Sequence, residues 1–81
     1  MLHVSAKPTL AMLREQHYFD ILALAEKAGV NPSTVDRMLH HQPVQRYQAE
    51  LVLTALTDEL GQNYTLDTVD IVLAPEKGKE L

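Results

Sequence analysis

Few side chains of this sequence have the types and spacing that catalysis or metal binding requires. His40 and His41 are adjacent, but neighbouring side chains at a helix end point apart and no third ligand lies at a usable spacing. There is no Cys, no Ser with a His and an acid in a recognisable nucleophile arrangement, and no glycine-rich phosphate loop. We therefore expect a protein that is not an enzyme and that needs no metal ion or cofactor.

The remaining chemistry is electrostatic, and the charge is unevenly distributed along the chain. The net charge is −4. Residues 1–46 carry five basic and four acidic side chains, a net charge of +1, together with all four His. Residues 47–81 carry two basic and seven acidic side chains, a net charge of −5. A polyanionic partner such as nucleic acid is therefore expected to contact the first half of the chain.

Length and composition limit the fold that positions these groups. A chain of 81 residues allows one domain, and 46% apolar with 22% charged residues is typical of a folded globular protein. The N-terminal residues lack the basic flank and apolar run of a signal peptide, and no segment has the length of a membrane helix. We expect a cytoplasmic protein with one domain over residues 1–73 and a flexible tail over residues 74–81.

Hydrophobic residues at helical spacing predict four helices, and capping residues mark their ends. The predicted helices span residues 8–17, 21–28, 32–40 and 46–60. Asp20 and Asn31 are predicted to accept hydrogen bonds from the first turns of the second and third helices, and Pro32 fits the first position of the third. Gly29 and Gly61 are predicted to end the second and fourth helices in the left-handed conformation. The side chains of the third helix predicted to face outward are Ser33, Thr34, Asp36, Arg37 and His40.

Two segments outside these helices carry further expectations. Tyr18 and Phe19, between the first two helices, are both predicted to fill the core. Residues 64–73 are ambiguous, because their apolar spacing fits a helix whereas their β-branched residues favour a strand. We predict a helical turn at 66–69 followed by extended chain. The predicted fold class is therefore all-α, with four helices and a short C-terminal fifth element.

Three stretches of the sequence resemble known DNA-binding families. Residues 13–25, LREQHYFDILALA, are similar to the LRxxxGLTQEELA pattern of the phage-repressor or XRE family. Residues 24–39, LAEKAGVNPSTVDRML, continue with that family's LAEKxGVSxSTISR pattern. Residues 28–61 are also similar to the lac-repressor-type headpiece, in which AGVSxSTVSRVLNG precedes a capped helix ending in ELG. The resemblance implies a lambda-repressor-like helix-turn-helix fold.

The resemblance also implies a function, that of a sequence-specific DNA-binding transcriptional regulator of repressor type. Such a protein would be bacterial or phage-type and associated with the nucleoid, and residues 32–40 would form the helix that enters the major groove. The residues that match base-reading positions are Pro32, Ser33 and Arg37. The residues expected to contact the DNA backbone are Asn31, Thr34, His40, Lys27 and Arg46. The Arg37 guanidinium would hold guanine O6 and N7 together.

The sequence departs from the family pattern at three positions. Asp20 replaces a Thr cap, Ile21 replaces the Gln that begins the second helix, and Asp36 replaces the Ser before Arg37. Asp36 adds a negative charge to the recognition helix, where it could read cytosine N4 or hold Arg37 in place. Arg37 could instead be a solvated side chain paired with a neighbour, and the hydroxyls of the first turn could instead cap the helix.

Apolar residues outside the main core face indicate a candidate dimer seam. These residues are Leu51, Ile71 and Leu73. The alternative is that the C-terminal segment folds back over its own core and covers Leu51. A homodimer on a palindromic DNA site is expected, because one module of this size buries only about 600–1,000 Å² on DNA.

A second functional hypothesis belongs to a different class. The chain could be a protein-interaction module, such as an antitoxin or adaptor, whose acidic half, residues 47–81, binds a basic partner protein. Substitution of Arg37 with Ala distinguishes the two hypotheses, because it abolishes binding only if DNA is the ligand.

Overall fold

The described part of the chain is all-α, with four helices. The structure is a computed structural model that describes residues 7–75. The helices are α1 (Leu10–Gln16), α2 (Ile21–Ala28), α3 (Pro32–Leu39) and α4 (Arg46–Leu60). They agree with the predicted helices to within two residues at each end. None of the helices in residues 7–75 is long and apolar enough to cross a membrane. The start of the predicted domain, residues 1–6, and most of the predicted tail, residues 76–81, lie outside the described residues.

Local capping explains where most of these helices begin and end. The Asp20 carboxylate accepts a hydrogen bond from the Ala23 amide at 2.9 Å, as predicted for the start of α2. Gly29 and Gly61 end α2 and α4 with φ of 77° and 76°, the left-handed conformation that glycine adopts at little cost. At the start of α3 the prediction was wrong in part, because Asn31 occupies the cap position without a side-chain hydrogen bond.

The core is built where α2 packs against both α3 and α4. Its largest fully buried side chains are Leu10, Met38, Leu53, Leu56, Val35, Val52 and Val69. Phe19 is buried against them as predicted, but Tyr18 is 74% exposed, which corrects the expectation that both aromatic rings fill the core. The two residues are consecutive in a non-helical link, where neighbouring side chains point to opposite sides.

The C-terminal segment docks along the helices as a turn followed by extended chain, in agreement with the prediction. A turn spans residues 66–68, and the chain then forms two isolated parallel bridges, Thr9 with Asp70 and Val44 with Leu73. The Val44 amide donates to the Val72 carbonyl at 3.1 Å, and the Ala74 amide donates to the Val44 carbonyl at 2.8 Å. Within residues 7–75 these bridges are not extended into a sheet.

Two of the three residues in the candidate dimer seam are used by the protomer itself. Ile71 and Leu73 are half-buried and pack against the hydrophobic core, so the segment folds back as in the alternative interpretation. That segment does not cover Leu51, which remains 42% exposed on α4. The seam as predicted from the sequence is therefore corrected, and Leu51 is the member that stays open to solvent.

Candidate nucleic-acid interface

A three-residue turn sets α3 against α2. The Gly29 and Val30 amides both donate to the Ala25 carbonyl, at 2.9 and 3.0 Å, which closes the end of α2. Asn31 has the extended backbone of an N-cap, and Pro32 follows at the first helical position, where its missing amide hydrogen is not needed. Two helices of eight residues each are therefore joined within three residues.

Helix α3 has one buried face and one exposed face. Val35 and Met38 are buried at 0% and 1% exposure and attach the helix to the core. The exposed side chains of α3 and its caps are Asn31, Pro32, Ser33, Asp36, Arg37 and His40. All three residues predicted to contact bases therefore lie on a solvent-facing surface, which we call the α3 outer face.

Thr34 does not belong to that surface. Its side chain is 8% exposed, the one buried polar residue among the described residues. The prediction that the Thr34 side chain faces outward is therefore wrong, and its buried hydroxyl is not accessible to a phosphate. Thr34 lies next to Val35 on the inward side of the first turn, and its methyl group suits an apolar environment.

Asp36 pairs with His40 and not with Arg37. His40 Nδ1 lies 2.9 Å from the Asp36 carbonyl oxygen and 3.5 Å from Asp36 Oδ1, one helical turn away. Arg37 is exposed and forms no ion pair within residues 7–75. The alternative in which Asp36 holds Arg37 in place is therefore wrong, and the guanidinium faces solvent.

Two of the residues that depart from the family pattern lie around one hollow. A cavity of about 280 Å³ opens between α1, α2 and α3, and Ile21 and Asp36 both line it. His40 and Arg14 are at its edge. Arg14 also lies over the Tyr18 ring, 5.4 Å from its centre, a cation–π contact that no local sequence signal indicates. Ile21 and Asp36, which both depart from the family pattern, therefore lie on the same part of the surface beside α3.

Lys27, one of the cations expected to contact the DNA backbone, is held by α4. Its Nζ lies 2.7 Å from Asp58 Oδ2 and 3.8 Å from Glu59 Oε1. The hydrogen bond to Asp58, and then the charge of that carboxylate, raise the pKa of Lys27. The hydrogen bond from Lys27, and then its positive charge, lower the pKa of Asp58. A phosphate would have to compete with two carboxylates for this ammonium group.

Arg46, the second cation outside α3 that is expected to contact the DNA backbone, lies at the start of α4. Its Nε is 3.5 Å from Glu50 Oε2, one turn further along the helix. Both side chains are more than half exposed, so water screens this contact. Arg46 also borders a cavity of about 370 Å³ between α4 and residues 64–67, which places it away from the hollow beside α3.

Comparison of the chain with protein-family models, with curated proteins and with solved structures found no match. Its function is therefore inferred from its own side chains and from where the fold places them.

Proposed function

We propose that this chain is a sequence-specific DNA-binding transcriptional regulator, a repressor with a lambda-repressor-like helix-turn-helix fold. The observation that supports this proposal best is the α3 outer face, on which Pro32, Ser33 and Arg37 are exposed. The opposite face of the same helix is anchored in the core. A helix held in this way can enter the major groove, about 12 Å wide, and present its outer side chains to base edges.

Arg37 is the residue to which we assign base recognition. A guanidinium donates two parallel hydrogen bonds to O6 and N7 of guanine and discriminates against other bases by roughly 1–3 kcal/mol. The position of the Asp36 carboxylate supports this role, because its Oδ1 lies 3.5 Å from His40 Nδ1 and makes no ion pair with Arg37 within residues 7–75. Ser33, one turn earlier on the same face, has a hydroxyl that can donate to or accept from a base or a phosphate.

The proposal predicts a weak dependence of affinity on salt concentration. Lys27 is held by two carboxylates, so Arg37 and Arg46 are the main cations that can displace counterions from DNA. Each neutralised phosphate contributes a slope of about −0.9 to the logarithm of the binding constant against the logarithm of salt concentration. We expect a total slope no steeper than roughly −3 for each copy of the chain.

In vitro selection of duplex DNA from a random library tests the proposal. The wild-type chain is expected to enrich a short palindromic site, and Arg37→Ala is expected to lose preference at one base position. Arg37→Lys is the matched control, because it keeps the charge and loses the bidentate geometry. We expect the Lys variant to retain non-specific affinity while losing the same base preference as the Ala variant.

A different outcome would reject the recognition role of α3. If the wild-type chain enriches no sequence, or if both Arg37 variants enrich the wild-type site with unchanged preference, α3 does not read DNA through Arg37.

A protein-interaction module is the second candidate function, and a specific observation favours it. Tyr18 and Leu22 are 74% and 64% exposed near the start of α2, where two large and mostly apolar side chains in solvent are typical of a surface that contacts another protein. An antitoxin or adaptor would use such a surface, together with the acidic half of the chain, to bind a basic protein. Arg37→Ala would then leave the protein complex intact.

A further inference from the structure

Helix α4 has an exposed stripe that the rest of the described fold leaves uncovered. Tyr47, Leu51, Thr54 and Asp58 are exposed and recur at spacings of four, three and four residues. This spacing places them on one helix face, over a length of about 16 Å. Tyr47 is 60% exposed and Leu51 is 42% exposed, although both are large and apolar. We call these four residues the α4 stripe.

Charged side chains flank both ends of the α4 stripe. Arg46 stands at the N-terminal end, and its contact with Glu50 is made through Nε, one of several donors of a guanidinium group. Asp58 and Glu59 stand at the C-terminal end, where both approach the same ammonium group of Lys27. Two carboxylates facing one cation leave a net negative charge beside the last turn of α4.

We propose that the α4 stripe packs against the α4 stripe of a second copy of this chain, with the two helices antiparallel. About the twofold axis, Leu51 lies opposite Thr54 of the second copy, and Tyr47 lies opposite Asp58. The Tyr47 hydroxyl then donates to a carboxylate while its ring and Leu51 are removed from water. The same pairing brings Arg46 of each copy toward the C-terminal carboxylates of the other.

The charge pattern selects this partner and this direction. A parallel pairing would place the Arg46 side chains together and the Asp58 side chains together, and like charges repel. An antiparallel pairing brings opposite charges together and opposes the two helix dipoles. Because one stripe carries both halves of the complementary pattern, the surface that matches it is a second copy of itself.

This dimer differs from the seam that the sequence indicates. Ile71 and Leu73 take no part in it, because they pack on the core of their own protomer. It retains Leu51 and adds Tyr47 as a large apolar anchor. The inference does not rest on the DNA-binding proposal, since self-association is measured without DNA.

Sedimentation equilibrium of the full chain over a concentration series tests the pairing. We expect a reversible dimer for the wild-type chain and a dissociation constant at least about thirtyfold higher for Leu51→Glu, the change typical of disrupting a central interface residue. Met12→Glu is the matched control, because Met12 is a large apolar residue that is 48% exposed on α1 and lies outside the α4 stripe. Circular dichroism of each variant establishes that the helices are retained.

Cross-linking tests the direction of the helices. The chain has no native Cys, so Tyr47→Cys and Asp58→Cys can be mixed and oxidised without competing thiols. The antiparallel pairing predicts disulfides between the two different variants. If disulfides form mainly between two copies of Tyr47→Cys, and not between Tyr47→Cys and Asp58→Cys, the antiparallel pairing is wrong.

The pairing is overturned if the wild-type chain stays monomeric into the millimolar range, or if Leu51→Glu dimerises as tightly as Met12→Glu. Either result leaves the role of Arg37 to be decided by the DNA selection, so the two proposals fail separately.

Discussion

His41 adopts a backbone conformation that glycine occupies at the ends of α2 and α4. Its φ is 57°, and the Gln42 amide donates to the Arg37 carbonyl at 2.8 Å, which completes the turn at the end of α3. A non-glycine residue in this region costs about 1–2 kcal/mol. The imidazole Nε2 lies 3.4 Å from Asp70 Oδ2, so the strained residue links the end of α3 to the C-terminal segment.

Replacing His41 with Gly is predicted to stabilise the chain. The substitution removes the backbone strain, and it removes an about half-exposed contact between the imidazole and the Asp70 carboxylate that contributes at most about 1 kcal/mol. We expect the free energy of unfolding to rise by about 0.5–1 kcal/mol, measured by urea denaturation.

His40→Gly is the control for that measurement. His40 has φ of −94°, which any residue adopts, so the same substitution brings flexibility without relief of strain and is expected to destabilise the chain. A less stable His41→Gly variant would mean that the contact with Asp70 outweighs the backbone strain.

At the scale of elements, the ends of α2 and α4 are connected by the ion pair between Lys27 and Asp58. Because the pKa of Asp58 is lower in the folded chain than its ordinary value of 3.8, the pair stabilises the fold above that value. The contribution of the ion pair to the free energy of unfolding is lost as pH falls through the pKa that Asp58 has in the folded chain. The pKa of Lys27 is raised above 10.5 in the folded chain. The stabilisation by the ion pair is therefore fully present below pH 10.5, and it is lost as pH rises through the pKa that Lys27 has in the folded chain.

The substitution Lys27→Met is therefore predicted to change stability in a pH-dependent way. The difference in urea midpoint between wild type and variant should be constant near neutral pH and should narrow as pH falls below 3.8, the ordinary pKa of Asp58, toward the lower pKa that this carboxyl has in the folded chain. Lys7→Met is the control, because Lys7 Nζ donates to the Leu66 carbonyl and not to a carboxylate. If the two variants show the same pH profile, the ion pair contributes nothing measurable.

At the scale of the whole molecule, the C-terminal segment closes the core that the helices leave open. Val69 is fully buried, and the Asp70 amide donates to the Pro8 carbonyl at 2.8 Å, which joins the two ends of the described chain. Val44, in the loop before α4, is buried beneath the same segment and exchanges two hydrogen bonds with it. The segment is thus part of the folded domain and not an appendage to it.

The substitution Val69→Ala is predicted to lower the free energy of unfolding by about 2 kcal/mol, because it removes two fully buried methyl groups and leaves a cavity. Val72→Ala, at a half-buried position of the same segment, should have less than about half that effect. Urea denaturation of the two variants measures the difference. Equal effects would show that the segment does not dock in solution as described.

The sequence by itself determined the helices and the direction in which most α3 side chains point. Asp20, Gly29 and Gly61 mark helix ends through hydrogen bonds and φ angles that involve residues only a few positions away. Apolar spacing likewise predicts which side of α3 is buried, and it failed only at Thr34. Such local properties are readable without knowledge of the fold.

Only the tertiary structure determined which residues that are distant in the sequence are in contact. Lys27 is paired with Asp58, thirty-one residues later, and Ile71 and Leu73 are packed on the protomer's own core. Tyr18 and Phe19 are adjacent aromatic residues, yet one is exposed and the other buried. These outcomes depend on how the helices pack, because contacts between distant residues are set by the three-dimensional arrangement and leave no local pattern in the sequence.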